Sequence, residues 1–133
     1  MDSVSSDEVY QDQILPHVSR TFALTIPQLP PQLRTAVTCA YLLCRIADTI
    51  EDEPVLSPPE TLAFLQRFSA ELAGHGQPRL LAGEIARRLS DTTLATERDL
   101  VGNMDRVIAV MKRLKAEFDP RGTLNPGRFV GGL

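Results

Sequence analysis

The chain has 133 residues, a net charge of −3 and a hydrophobic fraction of 43%, which suits one domain with its own core and leaves little room for a second. The acidic balance excludes bulk electrostatic attraction to nucleic acid or acidic lipid. No run of about 18 apolar residues occurs, so no membrane-spanning helix is expected, and the polar, acidic residues 1–8 lack the basic-then-apolar order of a signal peptide. A cytoplasmic location follows as the expectation, with peripheral contact with a membrane left open.

The chain reads as helical with short loops. The first helix is predicted over about residues 7–18, interrupted or ended near Pro16, after which Ser19-Arg20-Thr21-Phe22 leads into the breaker-rich segment around Pro27, Pro30 and Pro31. A second helix starts near Pro31, whose fixed φ suits a first helical turn, and runs to about Glu53 before Pro54 stops it. Ser57-Pro58-Pro59-Glu60 opens a third, with serine as cap, proline in the first turn and glutamate three residues after the serine. Leu62, Phe64, Leu65, Phe68 and Leu72 give it an apolar stripe. A turn at residues 74–78 precedes a short fourth helix over residues 80–89, with Arg87 and Arg88 on its outer side. A fifth opens at Thr93 or Thr96 and continues through Met104, Val107, Ile108, Met111 and Leu114. No stretch alternates strictly enough for a strand. From Phe118 onward the density of proline, glycine and asparagine precludes a helix.

The densest chemical signal is Tyr41-Leu-Leu-Cys-Arg45-Ile-Ala-Asp48-Thr-Ile-Glu51-Asp52-Glu53. At 3.6 residues per turn, Asp48, Glu51 and Asp52 fall at i, i+3 and i+4, and Tyr41 and Arg45 precede them on the same stripe. Leu42, Leu43, Ile46, Ala47 and Ile50 form the opposite arc. Carboxylates one turn apart suit Mg2+, which keeps several waters and takes one or two carboxylates together with substrate phosphates. Asp48 and Asp52 are therefore the first candidates as ligands, with Glu51 at the edge of the stripe to bind a second ion or orient a bound water. Arg45 and Arg20 could hold phosphate oxygens in forked geometry. The plainer alternative is an acidic last turn in which Arg45 pairs at i+3 or i+4. Other chemistries lack support. Cys39 and Cys44 would point about 140° apart on one helix, which excludes a disulfide and leaves two buried small side chains. His17 and His75 have no ligand-spaced partners for zinc, and Gly74-x-Gly76 is not a nucleotide loop. The arginines form no basic track with interleaved aromatics, so no nucleic-acid partner is expected.

With these residues in view, the chain over about residues 10–110 resembles the squalene/phytoene synthase family. Ser19-Arg20-Thr21-Phe22 is similar to that family's Ser-Arg-x-Phe motif, and Tyr41-x-x-x-Arg45-x-x-Asp48-x-x-Glu51-Asp52 to its tyrosine/arginine segment and first aspartate-rich motif. The stretch 97–103 has the same character. The resemblance implies an all-α fold, here part of an isoprenoid synthase helical bundle. It also implies head-to-head joining of two prenyl diphosphates (farnesyl or geranylgeranyl) through a cyclopropyl carbinyl diphosphate. By position, Asp48, Glu51 and Asp52 would bind Mg2+ and diphosphate, Ser19, Arg20 and Arg45 would bind diphosphate, and Tyr41 and Phe22 would stand in catalytic positions, Phe22 beside the carbocation. NADPH would enter if the chain is squalene-forming, which is the favoured subtype.

The resemblance also implies a length more than twice that of this chain and a second aspartate-rich helix. Asp91, Asp99, Asp105 and Asp119 do not supply one. The site is thus expected to be incomplete and the isolated chain inactive unless a partner chain supplies the missing half. The alternative is a non-catalytic helical binding or assembly fragment, or a fused-gene remnant. Residues 111–133 resemble instead the closing segment of FAD-linked oxidases of the glycolate oxidase and D-lactate dehydrogenase kind, through Lys115, Asp119-Pro120 and Asn125-Pro126-Gly127. No flavin-binding domain precedes them, so FAD is not expected. The expected division is a synthase-like region over 1–110 and an oxidase-like tail over 111–133 that is no domain of its own. Leu62, Phe64, Phe68, Val107 and Ile108 are expected to be left partly exposed by the missing half.

Overall fold

Most helices begin where the sequence supplies a start signal. In the computed structural model, which describes residues 5–118, the Ser5 hydroxyl accepts the Glu8 N–H at 3.2 Å and opens α1 (Ser6–Val18). Ser19 does the same for Phe22 at 3.2 Å and opens α2 (Arg20–Thr25). A 3₁₀ turn (Ile26–Gln28) leads to α3 (Pro31–Glu51), which has proline in its first turn. Ser57 and Glu60 form a reciprocal capping box at the head of α4 (Pro58–Leu72). Proline also opens α5 (Pro78–Arg88), and α6 (Ala95–Gly102) and α7 (Met104–Phe118) complete the order. No strand occurs among the described residues, and the architecture is all-α as expected.

α3 and α7 are the two central helices. α3 packs on α1, α4, α6 and α7, while α7 also meets α1, α4, α5 and α6. Leu42, Leu43, Ile46 and Ile50 of α3 are no more than 2% exposed, as are Met104, Val107, Ile108 and Met111 of α7. Each such side chain contributes on the order of 1.5–3 kcal/mol by leaving water. The arc of α3 opposite its acidic residues is therefore what fixes the helix, and the polar stripe lies where it does because the apolar one is buried.

Polar contacts tie the first helix to the last two. The Tyr10 hydroxyl donates to Asp99 Oδ1 at 2.9 Å, and the Arg106 guanidinium lies 5.3 Å from the Tyr10 ring centroid. Arg106 and Arg113 both reach the Asp7 carboxylate, at 3.3 and 3.4 Å.

Several expectations are corrected. Pro16 does not end α1: its ring is exposed, only one N–H is missing, and Ser19 N–H still reaches Leu15 O at 2.9 Å. Residues 20–25 form a helix where a lead-in was expected. The predicted fifth helix is two, parted at Asn103, whose N–H is shared among the carbonyls of Asp99, Leu100 and Val101. Cys44 is exposed, while Cys39 is buried as expected. Phe68, Val107 and Ile108 are buried rather than partly exposed, because α3, α4, α5 and α7 close a common core over them. Leu62 is 57% exposed and Phe64 half-buried, as expected. α7 runs unbroken through Val110 and Met111, both buried. Of the tail expected to resemble an oxidase, residues 119–133 lie outside the described residues.

Candidate functional site on the polar stripe of α3

A single stripe of α3 carries Arg34, Thr38, Tyr41, Arg45, Asp48 and Asp52, spaced alternately by three and four residues. Its last two members, together with Glu51, are exposed at the end of the helix. Among the described residues none of the three carboxylates has an ion-pair or side-chain hydrogen-bond partner. Asp48 and Asp52 are one turn apart, joined by the backbone bond from Asp52 N–H to Asp48 O at 2.9 Å. An exposed acidic edge without cations repels itself and lowers its energy by taking up a positive charge. Among the described residues, no group of three or more His, Cys, Asp or Glu side chains converges on one point that could hold a metal ion.

The middle of the stripe is better enclosed. Tyr41 stacks on Phe22 of α2 with ring centroids 4.5 Å apart at 35°, and its hydroxyl lies 3.4 Å from Val18 O. That pair holds α2 against α3, although α2 buries none of its own residues. Ser19 is committed locally, as the cap of α2, and Arg20 is exposed. Arg45 pairs with Glu97 of α6, not with Asp48 or another acid of its own last turn, so the i+3 or i+4 pairing is not realised. The structure thus brings Phe22, Tyr41 and Ser19 together and sets Arg45 and Asp48 successively along the same face.

Two features escaped the sequence. The first is Glu53, 5% exposed immediately after the stripe. Its carboxylate accepts from the Ser90 N–H at 2.5 Å, the Ser90 hydroxyl at 3.4 Å and the Thr93 hydroxyl at 3.2 Å. It ties the end of α3 to the loop between α5 and α6; no motif signals this, since the donors lie about 40 residues away. The second is a cavity of about 330 Å3 at the other end of the stripe, where Arg34 and Thr38 face Asp12 and Glu8 of α1. Desolvation first, then the neighbouring Glu8, raise the Asp12 carboxyl above its usual range, with Arg34 acting against them. The only signal for this cavity was Arg34 and Thr38 continuing the spacing of the stripe.

The squalene/phytoene synthase family model matches residues 15–125, which includes both sides of the expected division at residue 110. The chain is similar to a squalene synthase of Eremothecium gossypii, 32% identical over 108 residues covering 80% of this chain and 22% of that one. It is also similar to squalene synthase BSS of Botryococcus braunii, 38% identical over 54% of this chain and 15% of that one. Squalene synthase 10 of Panax ginseng is 46% identical over 41% of this chain and 13% of that one. The chain therefore spans less than a quarter of the length of these relatives. No solved structure matches it. No helix among the described residues is long and apolar enough to cross a membrane.

Proposed function

Because the chain belongs to the squalene/phytoene synthase family, we propose that its α3 stripe is the metal- and diphosphate-binding half of a site for head-to-head condensation of two prenyl diphosphates. The observation that supports this most directly is the pair of exposed, unpartnered carboxylates one turn apart, Asp48 and Asp52, following Tyr41 and Arg45 on one helix face. Such a pair fits Mg2+, which needs only one or two protein carboxylates when waters and substrate phosphates complete its shell. Glu51, exposed beside them, would orient a bound water or a second ion. Bound there, Mg2+ would draw charge from the departing diphosphate and ease breaking of the carbon–oxygen bond.

The chain's own residues would do the rest. Arg20 is exposed and unpaired among the described residues, and with Arg45 it would offer planar donors to phosphate oxygens. Ser19 starts the helix beside them and would contribute its hydroxyl. The Phe22–Tyr41 ring pair would offer π-faces to a developing carbocation. Farnesyl diphosphate and a squalene-type product, with NADPH as reductant, are the favoured substrate and outcome, supported by the squalene synthase relatives. The rest of the apolar cavity and the second acidic helix would come from outside this sequence, from a longer chain or from a partner. No flavin chemistry enters this reading.

The second reading is a helical fragment that binds or assembles without catalysis. It is favoured by the lack of a converged three-ligand cluster among the described residues. Equilibrium binding of farnesyl diphosphate separates the two. The half-site reading requires binding that depends on Mg2+, is abolished by chelator and is lost in the Asp48→Asn/Asp52→Asn double variant. Absence of binding, or binding indifferent to both changes, leaves the assembly fragment.

A further inference from the structure

We propose that Glu97 is a positioning residue for Arg45, holding its guanidinium at one nitrogen so that the remaining fork is aimed at a substrate diphosphate; this rests on the half-site reading above.

The contact joins Arg45 Nη2 of α3 to Glu97 Oε1 of α6, between side chains 28% and 21% exposed. It is not a saturated structural ion pair. Arg45 Nε is buried without a hydrogen-bond partner, and Glu97 engages only one of the three guanidinium nitrogens. A guanidinium has five N–H donors in a fixed plane, so a carboxylate on one hydrogen of Nη2 sets the plane and leaves the Nη1/Nη2 end, with one hydrogen from each, to a second anion. Arg45 sits between Tyr41 and Asp48 on the stripe, which is where the anionic end of a substrate would meet the metal.

The rest of the frame is independent of Arg45. Glu53 accepts the Ser90 N–H, and Arg98 Nη2 donates to Ser90 O at 2.6 Å, so one residue of the loop before α6 is held from both sides. Thr93, in the same loop, is held by Glu53 as well. Glu97 thus projects from a helix start that is already anchored to the end of α3, and can orient Arg45 without being carried along by it. Arg45 in turn is braced at its own backbone, where Thr49 Oγ1 donates to Arg45 O at 2.9 Å. A long, flexible side chain fixed in advance loses less rotational freedom when its anion arrives.

Inorganic pyrophosphate with Mg2+, titrated calorimetrically into the full chain, tests the proposal through a double-mutant cycle. Glu97→Gln is expected to weaken pyrophosphate binding about tenfold, Glu97→Asp less, and Glu97→Gln should add nothing in an Arg45→Gln background. A thermal melt of each variant reports folding separately. A Glu97→Gln chain that melts lower but binds pyrophosphate as the wild type does makes Glu97 a brace only, and overturns the proposal. Tighter binding makes Glu97 a competitor of the phosphate and overturns it equally. Equal losses in both backgrounds mean that Glu97 does not act through Arg45. Should Glu97→Gln fail to fold, the Arg45 side-chain NMR signals of the wild type decide: they shift when magnesium pyrophosphate is added, or the proposal falls. If the wild type binds no pyrophosphate at any Mg2+ concentration, the half-site reading fails together with the proposal.

Discussion

At Glu53 a carboxylate that would ordinarily join its exposed neighbours is buried under the loop leading to α6, where it satisfies one backbone and two hydroxyl donors. Removing it leaves the Ser90 N–H without an acceptor, and an unmet buried donor costs about 1–3 kcal/mol. Glu53→Ala should therefore lower the free energy of unfolding by about 2 kcal/mol in urea titrations, whereas Asp48→Ala, at an exposed and unpaired position, should change it by less than about 0.5 kcal/mol. An equal effect at the two positions would refute this division between structural and available carboxylates. Two other residues set the behaviour in alkali. Burial pushes the Cys39 thiol up from 9.0 to about 12, and burial followed by the hydrogen bond to Asp99 raises the Tyr10 phenol well above 10.0. Both groups are held in their neutral forms by the fold. Their contributions are complete below the unfolded-state values and are lost as pH rises above about 9 for Cys39 and about 10 for Tyr10. Urea midpoints should fall between about pH 9 and 11, and Cys39→Ala with Tyr10→Phe should flatten that fall.

Among the elements, α3 was legible because its limits are chemical: a proline suited to the first turn, a proline that stops it, and a buried arc of Leu42, Leu43, Ile46 and Ile50 between them. The head of α4 was equally readable, since Ser57 and Glu60 cap reciprocally across neighbouring prolines. Ser57→Ala should cost about 1 kcal/mol and lower the helical signal before the main transition, measurable by circular dichroism. No change there would mean that the prolines alone define the start. α2 was not legible. None of its six residues is fully buried; Phe22 rests on Tyr41 of α3 and Ala23 packs against the core, so its helical state depends on partners elsewhere in the chain. The break at Asn103 was hidden because Leu100, Val101, Met104 and Val107 keep a helical apolar rhythm across it. The carboxamide of Asn103 donates to both Asp99 O and Asp99 Oδ1 at 2.9 Å, a local alternative to continuing the helix.

Across the whole molecule, the residues of the candidate site were readable as types and spacing, but their partners were not. The stripe on α3 follows from helical geometry; the pairing of Arg45 with Glu97 and of Phe22 with Tyr41 follows only from how α6 and α2 fold back on it. The described helices close a core without the remainder of their longer relatives, which explains why Phe68, Val107 and Ile108 are covered. Along α3 they leave open a polar face, running from the cavity beside Arg34 past an aromatic pair to a bare acidic end. That asymmetry is the physical basis for reading α3 as the wall of a substrate site. The acidic end can be tested directly on the 15N-labelled chain with substoichiometric Mn2+, a paramagnetic substitute for Mg2+, before and after addition of farnesyl diphosphate. The account predicts that the diphosphate sharpens binding at one place, with amide signals of residues 48–52 broadened away while those of α1 remain. Broadening indifferent to the diphosphate, or centred on Asp7, Glu8 and Asp12, would contradict it.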